Sequence, residues 1–364
     1  MKSPRKSPRR RRISPRRSPR KSPRKKSPKK TLLIEQQIRA IPETNYYIDF
    51  TEEHGKQWAD LKHILKEYEM NPSPEAYESV KEYLSYVKYA PSKLVEEIED
   101  LERATPETWK EIYSLFWIFE NIDLSFEVGD AEYTCKDIMA IGGQGIIFNA
   151  KSAGGKECVV KMSVDPKELK EEMGKLKEFK GVKGIVKPIS PLITFETDET
   201  LVYACVFPKY GPSLSHLYKY EEFEFNKDFI DWSIKQLKST LNKIHDREVI
   251  HLDIHPSNIL LGPYDRRKKT YEPALYIIDF GISCKFDSEF VGDIGVVKYS
   301  SPFIGERVPT YKDDYVSLIY SMCFLHQGNL PWMDVEDFYE ARKMKIAFLD
   351  DRMYAYIPSL TRLV

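Results

Sequence analysis

The chain has 364 residues, of which 41% are hydrophobic and 13% aromatic, so it can bury at least one large core and form two or three folding units. Its 56 Lys and Arg residues balance its 56 Asp and Glu residues, but residues 1–30 hold 16 of the basic side chains and none of the acidic ones. These proportions predict a soluble globular protein for most of the length, with a strongly basic N-terminus, and exclude a chain without a folded core.

Neither export nor a membrane anchor is predicted. The N-terminus has no apolar stretch of the signal-peptide kind, and the longest apolar run, around Tyr315 to Leu325, is well short of the ~20 residues that span a bilayer. The cysteines form an odd set without a C-x-x-C pair or a His at metal-ligand spacing, which favours buried, reduced thiols in an intracellular compartment. They are Cys135, Cys158, Cys205, Cys284 and Cys323.

Residues 1–30 repeat Ser-Pro followed by Lys or Arg six times. Because proline removes backbone donors and like charges repel, this tail is predicted to be disordered. A chain this basic neutralises phosphates, which predicts binding to nucleic acid or another polyanion; a nuclear-import signal and a solubilising tail are the plainer alternatives. Phosphorylation of the six serines would leave the tail weakly positive and weaken its binding.

Residues 31–126 are predicted to form a helical extension. Helix start signals recur at Ser73-Pro74-Glu75, at Ser92 and at Thr105-Pro106-Glu107. After the last of these, apolar residues at three- and four-residue steps predict a helix that packs, with the rest of the module, on the residues that follow. This apolar face comprises Trp109, Ile112, Phe116 and Phe119.

After Asp123 the pattern changes to short β-like runs, with Gly154-Gly155 as a hairpin turn. A mixed α/β pattern fills the remainder of the chain. The change from helices to glycine-punctuated strands marks a domain boundary. The three strands are predicted at Tyr133–Ile141, Gly145–Ala150 and Glu157–Met162.

A glycine-rich stretch joins the first two of these strands. Its glycines let backbone amides approach phosphate oxygens, although an ordinary hairpin turn would look the same. Lys161 ends the next apolar strand, sixteen residues after the last of these glycines, where its side chain can meet a phosphate. The stretch comprises Ala140, Ile141, Gly142, Gly143, Gln144, Gly145, Ile146 and Ile147.

A charged helix is predicted next, over Glu168–Lys180, in which Glu172, Leu176 and Phe179 share one face. Glu172 would pair with Lys161 and hold it toward a nucleotide. Glu171 is the rival for this role.

The strongest local signal lies in His251–Leu261, where Asp253 and Asn258 stand five residues apart between apolar segments. Twenty-one residues after Asn258, Asp279 ends an apolar strand and precedes Phe280-Gly281. Phosphoryl transfer needs one carboxylate that orients the attacking hydroxyl and accepts its proton, and oxygen ligands that hold magnesium on the phosphates. Asp253 suits the first role, and Asn258 and Asp279 suit the second.

In this order, the glycine-rich stretch, the strand Lys, the helix Glu, H-x-D-x-x-x-x-N and D-F-G resemble the signature of the protein-kinase superfamily, over about residues 133–340. Finer features resemble the casein kinase one and vaccinia-related kinase branch. The basic tail and short C-terminal lobe are similar to kinases of large DNA viruses, so a nucleus or a nucleoprotein particle such as a virion is an expected location. The finer features are Gly211-Pro212-Ser213-Leu214, residues 312–318 and Leu330-Pro331-Trp332.

The resemblance implies an α+β, bilobal protein-kinase-like fold, with a small β-rich N-lobe over 127–210 and a helical C-lobe over 211–364. It implies ATP and Mg²⁺ as cofactors, bound between the lobes, and protein substrates. Phe207 would be the gatekeeper and Pro208 to Tyr210 the adenine-facing hinge, while Asp314 would brace the catalytic loop from a buried helix. Ile147, Val159 and Leu260 complete the implied nucleotide contacts.

Four departures from the family pattern bear on function. Ala140 replaces the first glycine of the phosphate loop, and Val159 replaces a common alanine over the adenine. Leu252 stands where most kinases have an Arg that anchors a phosphorylated activation segment, so activity is not expected to need that phosphorylation. Phe303 stands where a Glu is usual, which is expected to remove a structural ion pair.

His255 is the most consequential departure, because Ser/Thr kinases usually carry there a Lys that contacts the γ-phosphate. His-Pro-x-Asn resembles aminoglycoside and related small-molecule kinases instead. A protonated His255 would donate to phosphate, but an imidazole is only partly protonated near neutral pH. The prediction is an ATP-dependent serine/threonine protein kinase. A small-molecule phosphotransferase, and an inactive kinase-fold scaffold or nucleic-acid-condensing protein, remain as alternatives.

Overall fold

The computed structural model describes residues 28–44, 47–142, 145–196, 201–288 and 298–363. The Ser-Pro repeats up to residue 27, for which disorder is predicted, lie outside the described residues. So do Gly143 and Gln144 of the glycine-rich stretch.

The helices follow the predicted start signals. The side chain of Ser73 accepts a hydrogen bond from the backbone N–H of Ala76, and Thr105 does the same for Thr108, so both are N-caps. The first helix begins at Pro28, three residues inside the predicted tail, and proline suits the first turn of a helix. The helices are α1 (Pro28–Arg39), α2 (Glu52–Met70), α3 (Pro74–Leu84), α4 (Ser92–Glu99), α5 (Pro106–Glu120), α6 (Pro166–Glu178), α7 (Leu214–Tyr218), α8 (Lys227–His245), α9 (Tyr311–Gln327) and α10 (Phe338–Asp350).

The first six strands form one antiparallel sheet in the order β1-β2-β3-β4-β6-β5, and the remaining strands form short two-stranded pairs in the C-lobe. The three predicted strands are confirmed as β2, β3 and β4. The strands are β1 (Ser125–Val128), β2 (Ala131–Gly142), β3 (Gly145–Ser152), β4 (Glu157–Ser163), β5 (Ile193–Glu196), β6 (Leu201–Pro208), β7 (Val249–Ile250), β8 (Ile259–Leu261), β9 (Tyr264–Asp265), β10 (Thr270–Tyr271), β11 (Leu275–Ile277) and β12 (Cys284–Lys285).

The sheet and helices α2 to α5 share one hydrophobic core, that of the N-lobe. Three of the four residues of the predicted apolar face, Ile112, Phe116 and Phe119, are buried in it, and Trp109 is half-buried beside them. Trp58 of α2 stacks on Phe119 with ring centroids 3.8 Å apart. These four helices therefore extend the N-lobe rather than forming a separate unit.

Helix α1 belongs to the other core. Its residues Ile34 and Ile38, and Ile41 just after it, are buried among the helices of the C-lobe, which is built around α8 and α9. The extension, expected as one helical module, is therefore divided between the lobes. Within the described parts of the chain, no helix combines the length and the apolar character needed to cross a bilayer.

The segment that joins α1 to α2 passes the hinge. The Thr44 backbone N–H donates to the Tyr271 hydroxyl at 3.1 Å, and Arg266 contacts Glu43 at 3.5 Å and Glu157 of β4 at 3.0 Å. The same segment and the hinge line a cavity of about 270 Å³. The chain thus ties the C-lobe to the N-lobe along the hinge.

Phe303 supplies no carboxylate, as expected, but an ion pair forms three residues later. Arg342 of α10 pairs with Glu306 and also donates from Nε to the Pro302 carbonyl at 2.7 Å. Whether this pair takes over the role of the usual one stays a prediction.

The burial of α1 in the C-lobe core predicts a stability cost for its truncation. Ile38→Ala should lower the free energy of unfolding by about 2–4 kcal/mol, since Ile38 is only 1% exposed. Leu33→Ala, on the same helix but 55% exposed, is the matched control and should change it by no more than about 0.5 kcal/mol. Urea unfolding of both variants measures the difference, and equal losses would contradict the docking of α1.

Lys345 of α10 predicts a pH-dependent stability. It is 3% exposed and donates to the Ser300 carbonyl at 3.0 Å, and burial lowers its pKa from 10.5 to about 8. Between those pH values the unfolded chain binds more protons than the folded one, so this residue's contribution to stability rises with pH.

The free energy of unfolding of the wild type, minus that of Lys345→Met, should therefore increase by about 2–3 kcal/mol between pH 7.5 and pH 10. Subtracting the variant removes the titration of tyrosines and cysteines, which both proteins share. Lys343→Met, an exposed lysine of the same helix, is the control and should give a flat difference. A flat difference for Lys345→Met as well would sink this interpretation.

Candidate active site

Lys161 lies in β4 and meets two carboxylates. Its Nζ is 2.7 Å from Oε2 of Glu172 and 3.8 Å from Oδ1 of Asp279. Burial acts to lower the pKa of Lys161, but the charges of Asp279 and Glu172 outweigh it, so the pKa is raised. The ammonium therefore stays charged and is held in place for an anion.

Helix α6 positions Glu172. The Asp165 side chain caps the helix by accepting from the backbone N–H groups of Lys167 and Glu168, and the first helical residue is a proline. Glu172 is 3% exposed, whereas Glu171 is exposed to solvent. The structure thus places Glu172, and not its rival, against Lys161.

Within His251–Leu261, the side chain of Asn258 holds Asp253 in place. Asn258 donates from Nδ2 to the backbone carbonyl of Asp253 at 3.1 Å and to its Oδ2 at 2.8 Å. The five-residue spacing is therefore a closed turn in which the amide fixes the carboxylate. Both hydrogens of the amide are used in this way, which leaves its oxygen to serve a cation.

His255 contacts the carboxylate of Asp253. Its Nδ1 accepts from the backbone N–H of Ser257 at 3.3 Å, so Nε2 carries the proton and lies 3.4 Å from Oδ2 of Asp253. The ring is parallel to that of Tyr299, with centroids 6.0 Å apart. In this arrangement His255 helps to orient Asp253.

Asp314 braces the start of the catalytic loop, as predicted. Fully buried in α9, it accepts from the backbone N–H of His251 at 2.9 Å and of Leu252 at 2.8 Å. His245 contacts the same carboxylate at 2.8 Å. Leu252 has a φ of +68°, a conformation that L-residues rarely adopt, so these bonds hold a strained turn.

His251 links the catalytic loop to the strand before Asp279. Its Nδ1 accepts from the Asp253 backbone N–H at 3.3 Å, and its Nε2 donates to the Ile278 carbonyl at 3.1 Å. Burial lowers the pKa of His251 despite the opposing charges of Asp314, Asp253 and Asp279. The ring therefore stays neutral at pH 7, with one donor and one acceptor, as this bridge requires.

Asp279 also has a left-handed backbone, with a φ of +64°, and its Oδ1 accepts from the Gly281 N–H at 3.2 Å. The next residue, Phe280, is fully buried between Phe179 and His251, with ring centroids 5.0 Å and 4.6 Å away. This packing turns the Asp279 carboxylate toward Lys161.

One face of the sheet carries the side chains predicted to contact a nucleotide. Residues paired across neighbouring strands point to the same face, and Ala140 pairs with Ile147, which pairs with Lys161. Val159, two residues before Lys161 in β4, points to the same face and pairs with Phe207 of β6. The structure thus brings these five predicted residues together.

Ile141 requires a correction. Its neighbours in β2 alternate between the two faces, and Ile141 lies on the face opposite Lys161, packed against the N-lobe core. Its side chain is therefore not a nucleotide contact. Gly142 and Gly145 close the β2–β3 hairpin as partners, and a Cβ on Gly145 would stand 2.1 Å from the Met162 carbonyl oxygen, so only glycine fits there.

The hinge follows β6. Pro208 is the last residue of this strand, opposite Cys158, and the Tyr210 ring packs on Tyr276 with centroids 4.5 Å apart. Leu260 lies below, in β8 of the C-lobe, where it is half-buried and opposite Tyr276. The residue after Tyr210, Gly211, approaches Gly262 so closely that a Cβ would stand 2.8 Å from its carbonyl oxygen.

Asn258 and Asp279 offer the oxygen ligands that a phosphate-bound magnesium ion needs. Mg²⁺ prefers oxygen donors and is usually held by one or two protein ligands together with phosphate oxygens and water. An amide oxygen and a carboxylate supply such donors here. In the part of the chain that the structure describes, no three His, Cys, Asp or Glu side chains form a metal-binding group.

Two residues of the site, Lys175 and His251, had no role predicted from the sequence. Lys175 of α6 donates to three backbone carbonyls next to Asp279, and His251 bridges the two loops of the site. A signal for Lys175 was available in its spacing, because it stands three residues after Glu172 and so lies on the same helix face.

Comparisons with known proteins agree with this geometry. Casein kinase I homolog 2 of Schizosaccharomyces pombe is 25% identical over 212 residues, which cover 54% of this chain and 46% of the relative. Casein kinase I homolog 3 of the same yeast is 26% identical over 181 residues, or 46% of this chain and 39% of the relative. The chain thus spans about half the length, or less, of these relatives.

A solved structure, that of vaccinia related kinase 3, matches with a TM-score of 0.51 and 16% identity, over 63% of this chain and 76% of that chain. At this identity the likeness concerns the fold, which is the bilobal fold that the resemblance implied. The family model of the protein kinase domain matches residues 133–357, well over half of the chain. The chain therefore belongs to the protein kinase family.

Proposed function

We propose that this protein is an ATP-dependent serine/threonine protein kinase. Two contacts support the proposal. Lys161 Nζ forms an ion pair with Glu172 Oε2 at 2.7 Å, and Asn258 Nδ2 donates to Asp253 Oδ2 at 2.8 Å. The similarity to casein kinase I homologues supports a protein hydroxyl as the acceptor. Because the matched segments cover only part of those relatives, the substrate class is part of the proposal.

Each residue has a defined task in the reaction. Bound Mg-ATP supplies the phosphoryl group, and its metal neutralises charge on the phosphates. Lys161 would contact the phosphates, because Glu172 keeps its ammonium extended, and Asn258 and Asp279 would hold the metal. Asp253 orients the substrate hydroxyl and accepts its proton as the hydroxyl oxygen bonds to the γ-phosphorus and ADP leaves.

The position of His255 favours a role in orienting Asp253 over a direct contact with the phosphate. It lies 3.4 Å from Oδ2 of Asp253, on the same oxygen that Asn258 holds. Two neighbours therefore fix one carboxylate oxygen, which orients the other one. The His-Pro-x-Asn sequence still resembles small-molecule kinases, so a test of the acceptor must include small molecules.

The activation segment is proposed to work without a phosphate anchor. Leu252, which stands in the position of the usual Arg, is 1% exposed and packs with Ile250 and Ile304 in a small apolar cluster. Ile282 and Cys284, just after Asp279, pack against the same cluster. Apolar contacts thus hold the start of the segment to the catalytic loop.

Asp253→Asn should lower the rate of phosphate transfer from labelled Mg-ATP by about 10² to 10⁴, because the base is lost while ATP binding is kept. The acceptors to compare are casein, histone and a panel of basic small molecules. Label on protein serine or threonine that disappears in the variant is the expected result.

Asp246→Asn, an exposed carboxylate at the end of α8, is the control and should transfer at the wild-type rate. Label on a small molecule would move the assignment to the alternative acceptor class. Measurable ATP binding without any transfer would identify an inactive scaffold.

We further propose that the basic tail binds nucleic acid. Residues 1–27 hold 14 Lys and Arg residues and no Asp or Glu. They precede α1, whose burial in the C-lobe joins the tail to the catalytic domain. Such a tail would bring the kinase to substrates on DNA or RNA and would act inside a nucleus or a nucleoprotein particle.

Removal of residues 1–27, with the cut before Pro28 so that α1 stays intact, should abolish salt-dependent duplex binding and leave phosphate transfer unchanged. For the full chain, six to ten phosphate contacts would reduce affinity by about 10³ to 10⁵ between 50 and 200 mM salt. Fluorescence anisotropy with a labelled duplex measures both proteins.

Changing the six Ser-Pro serines to Asp should weaken binding, whereas changing them to Ala should not, because only the former adds negative charge. Equal affinity and an equal salt slope for the truncated chain would rule out the tail as the binding element. The serines are Ser3, Ser7, Ser14, Ser18, Ser22 and Ser27.

A further inference from the structure

All three N–H donors of Lys175 are used in hydrogen bonds to the backbone just after Asp279. Its Nζ lies 3.2 Å from the Phe280 carbonyl, 3.2 Å from the Gly281 carbonyl and 2.6 Å from the Ser283 carbonyl. An ammonium has three N–H donors, and here each has a carbonyl acceptor. A lysine on a charged helix is ordinarily solvated, so this threefold contact is unusual among the lysines of α6.

Helix α6 holds Phe280 from both sides. The Phe280 N–H donates to Oε1 of Glu172 at 3.3 Å, while the Phe280 carbonyl accepts from Lys175. Glu172 and Lys175 are three residues apart and therefore share a helix face. One helix thus fixes the peptide units on both sides of the residue that follows Asp279.

This hold matters because the backbone at Asp279 is strained. A φ of +64° is costly for a non-glycine residue, and it persists only where the surroundings impose it. Three charge-assisted hydrogen bonds from Lys175 are of the size needed to offset that cost. Without them, Glu172, the buried Phe280 ring and the local hydrogen bonds of Gly281 and Ser283 would remain to resist a turn of the Asp279 carboxylate away from the cleft.

We propose that Lys175 is a positioning residue for phosphoryl transfer, which fixes residues 280–283 so that Asp279 presents its carboxylate to the magnesium ion. The kinetic part of this inference rests on the proposed kinase function. The structural part does not, because it concerns the hold of α6 on a backbone segment and can be measured without any substrate.

Lys175→Met keeps most of the aliphatic stem and removes the three donors. In hydrogen exchange on the full-length protein without nucleotide, the amides of residues 280–283 should exchange about tenfold or more faster than in the wild type. Lys177→Met, an exposed lysine two residues along α6, is the matched control and should exchange like the wild type. Lys175→Arg, which keeps the charge and the donors, should restore most of the protection.

The magnesium requirement gives a second readout that a general loss of folded protein would not move. In Lys175→Met, the Mg²⁺ concentration at half-maximal phosphate transfer should rise several-fold and kcat should fall about tenfold. Both values should return toward the wild type in Lys175→Arg. A variant that merely folded poorly would lose rate at an unchanged Mg²⁺ midpoint.

Wild-type exchange of residues 280–283 in Lys175→Met, or an unchanged Mg²⁺ midpoint in an active variant, would overturn the proposal. If the wild type transfers no phosphate, the kinase proposal fails, and the exchange experiment still decides the role of Lys175. If Lys175→Met does not fold, Lys175→Gln, which removes the charge and is too short to reach all three carbonyls, takes its place, and faster exchange of residues 280–283 is again the expected result.

Discussion

The buried carboxylate of Glu172 is the interaction on which the arrangement of the site depends. One of its oxygens meets the ammonium of Lys161, from the sheet of the N-lobe, and the other accepts from the backbone N–H of Phe280, in the C-lobe. A carboxylate that is 3% exposed is costly to bury unless both oxygens have partners. The requirement to satisfy both oxygens therefore brings the sheet, α6 and the segment that carries Asp279 into one geometry.

The N-terminal extension adds a second connection between the lobes. Two isoleucines of α1, Ile34 and Ile38, and Ile41 just after the helix are buried in the C-lobe, whereas α2 to α5 are part of the N-lobe. The ion pairs of Arg266 along this path are largely exposed and contribute little by themselves. Burial of apolar surface contributes more to stability, so the extension restrains the lobes mainly through the core contacts at its two ends.

The residues that the structure brings together at the candidate site could be predicted because the proposed reaction requires them in this order and spacing. Asp253 and Asn258 must close one turn, and Lys161 must reach across the sheet to a helix carboxylate. The assignment of Glu172 over Glu171 needed the structure, because both are acidic residues of one charged helix. Only their orientation separates them, and that depends on how α6 packs. Contacts between distant segments could not be predicted, such as the docking of α1 in the C-lobe. Ile141 was misassigned because the whole glycine-rich stretch was predicted to contact the nucleotide, although neighbouring residues of a strand point to opposite faces. Lys175 was missed for a different reason. Its spacing from Glu172 showed that the two share a helix face, but its partners are backbone carbonyls, which no residue type marks.

Burial and backbone hydrogen bonds also explain how the chain compensates for its departures from the family pattern. Leu252 cannot bind a phosphate, yet it packs in an apolar cluster that includes Ile304 and is contacted by Ile282. Lys175 holds the residues just before that cluster through carbonyls that any sequence would provide. In most family members an Arg at the position of Leu252 binds a phosphorylated activation segment. Here apolar contacts and backbone hydrogen bonds would hold the segment, and they do not depend on phosphorylation. Regulation of such an enzyme would then change its location. The basic tail, with its six Ser-Pro sites, is the segment whose charge phosphorylation can change.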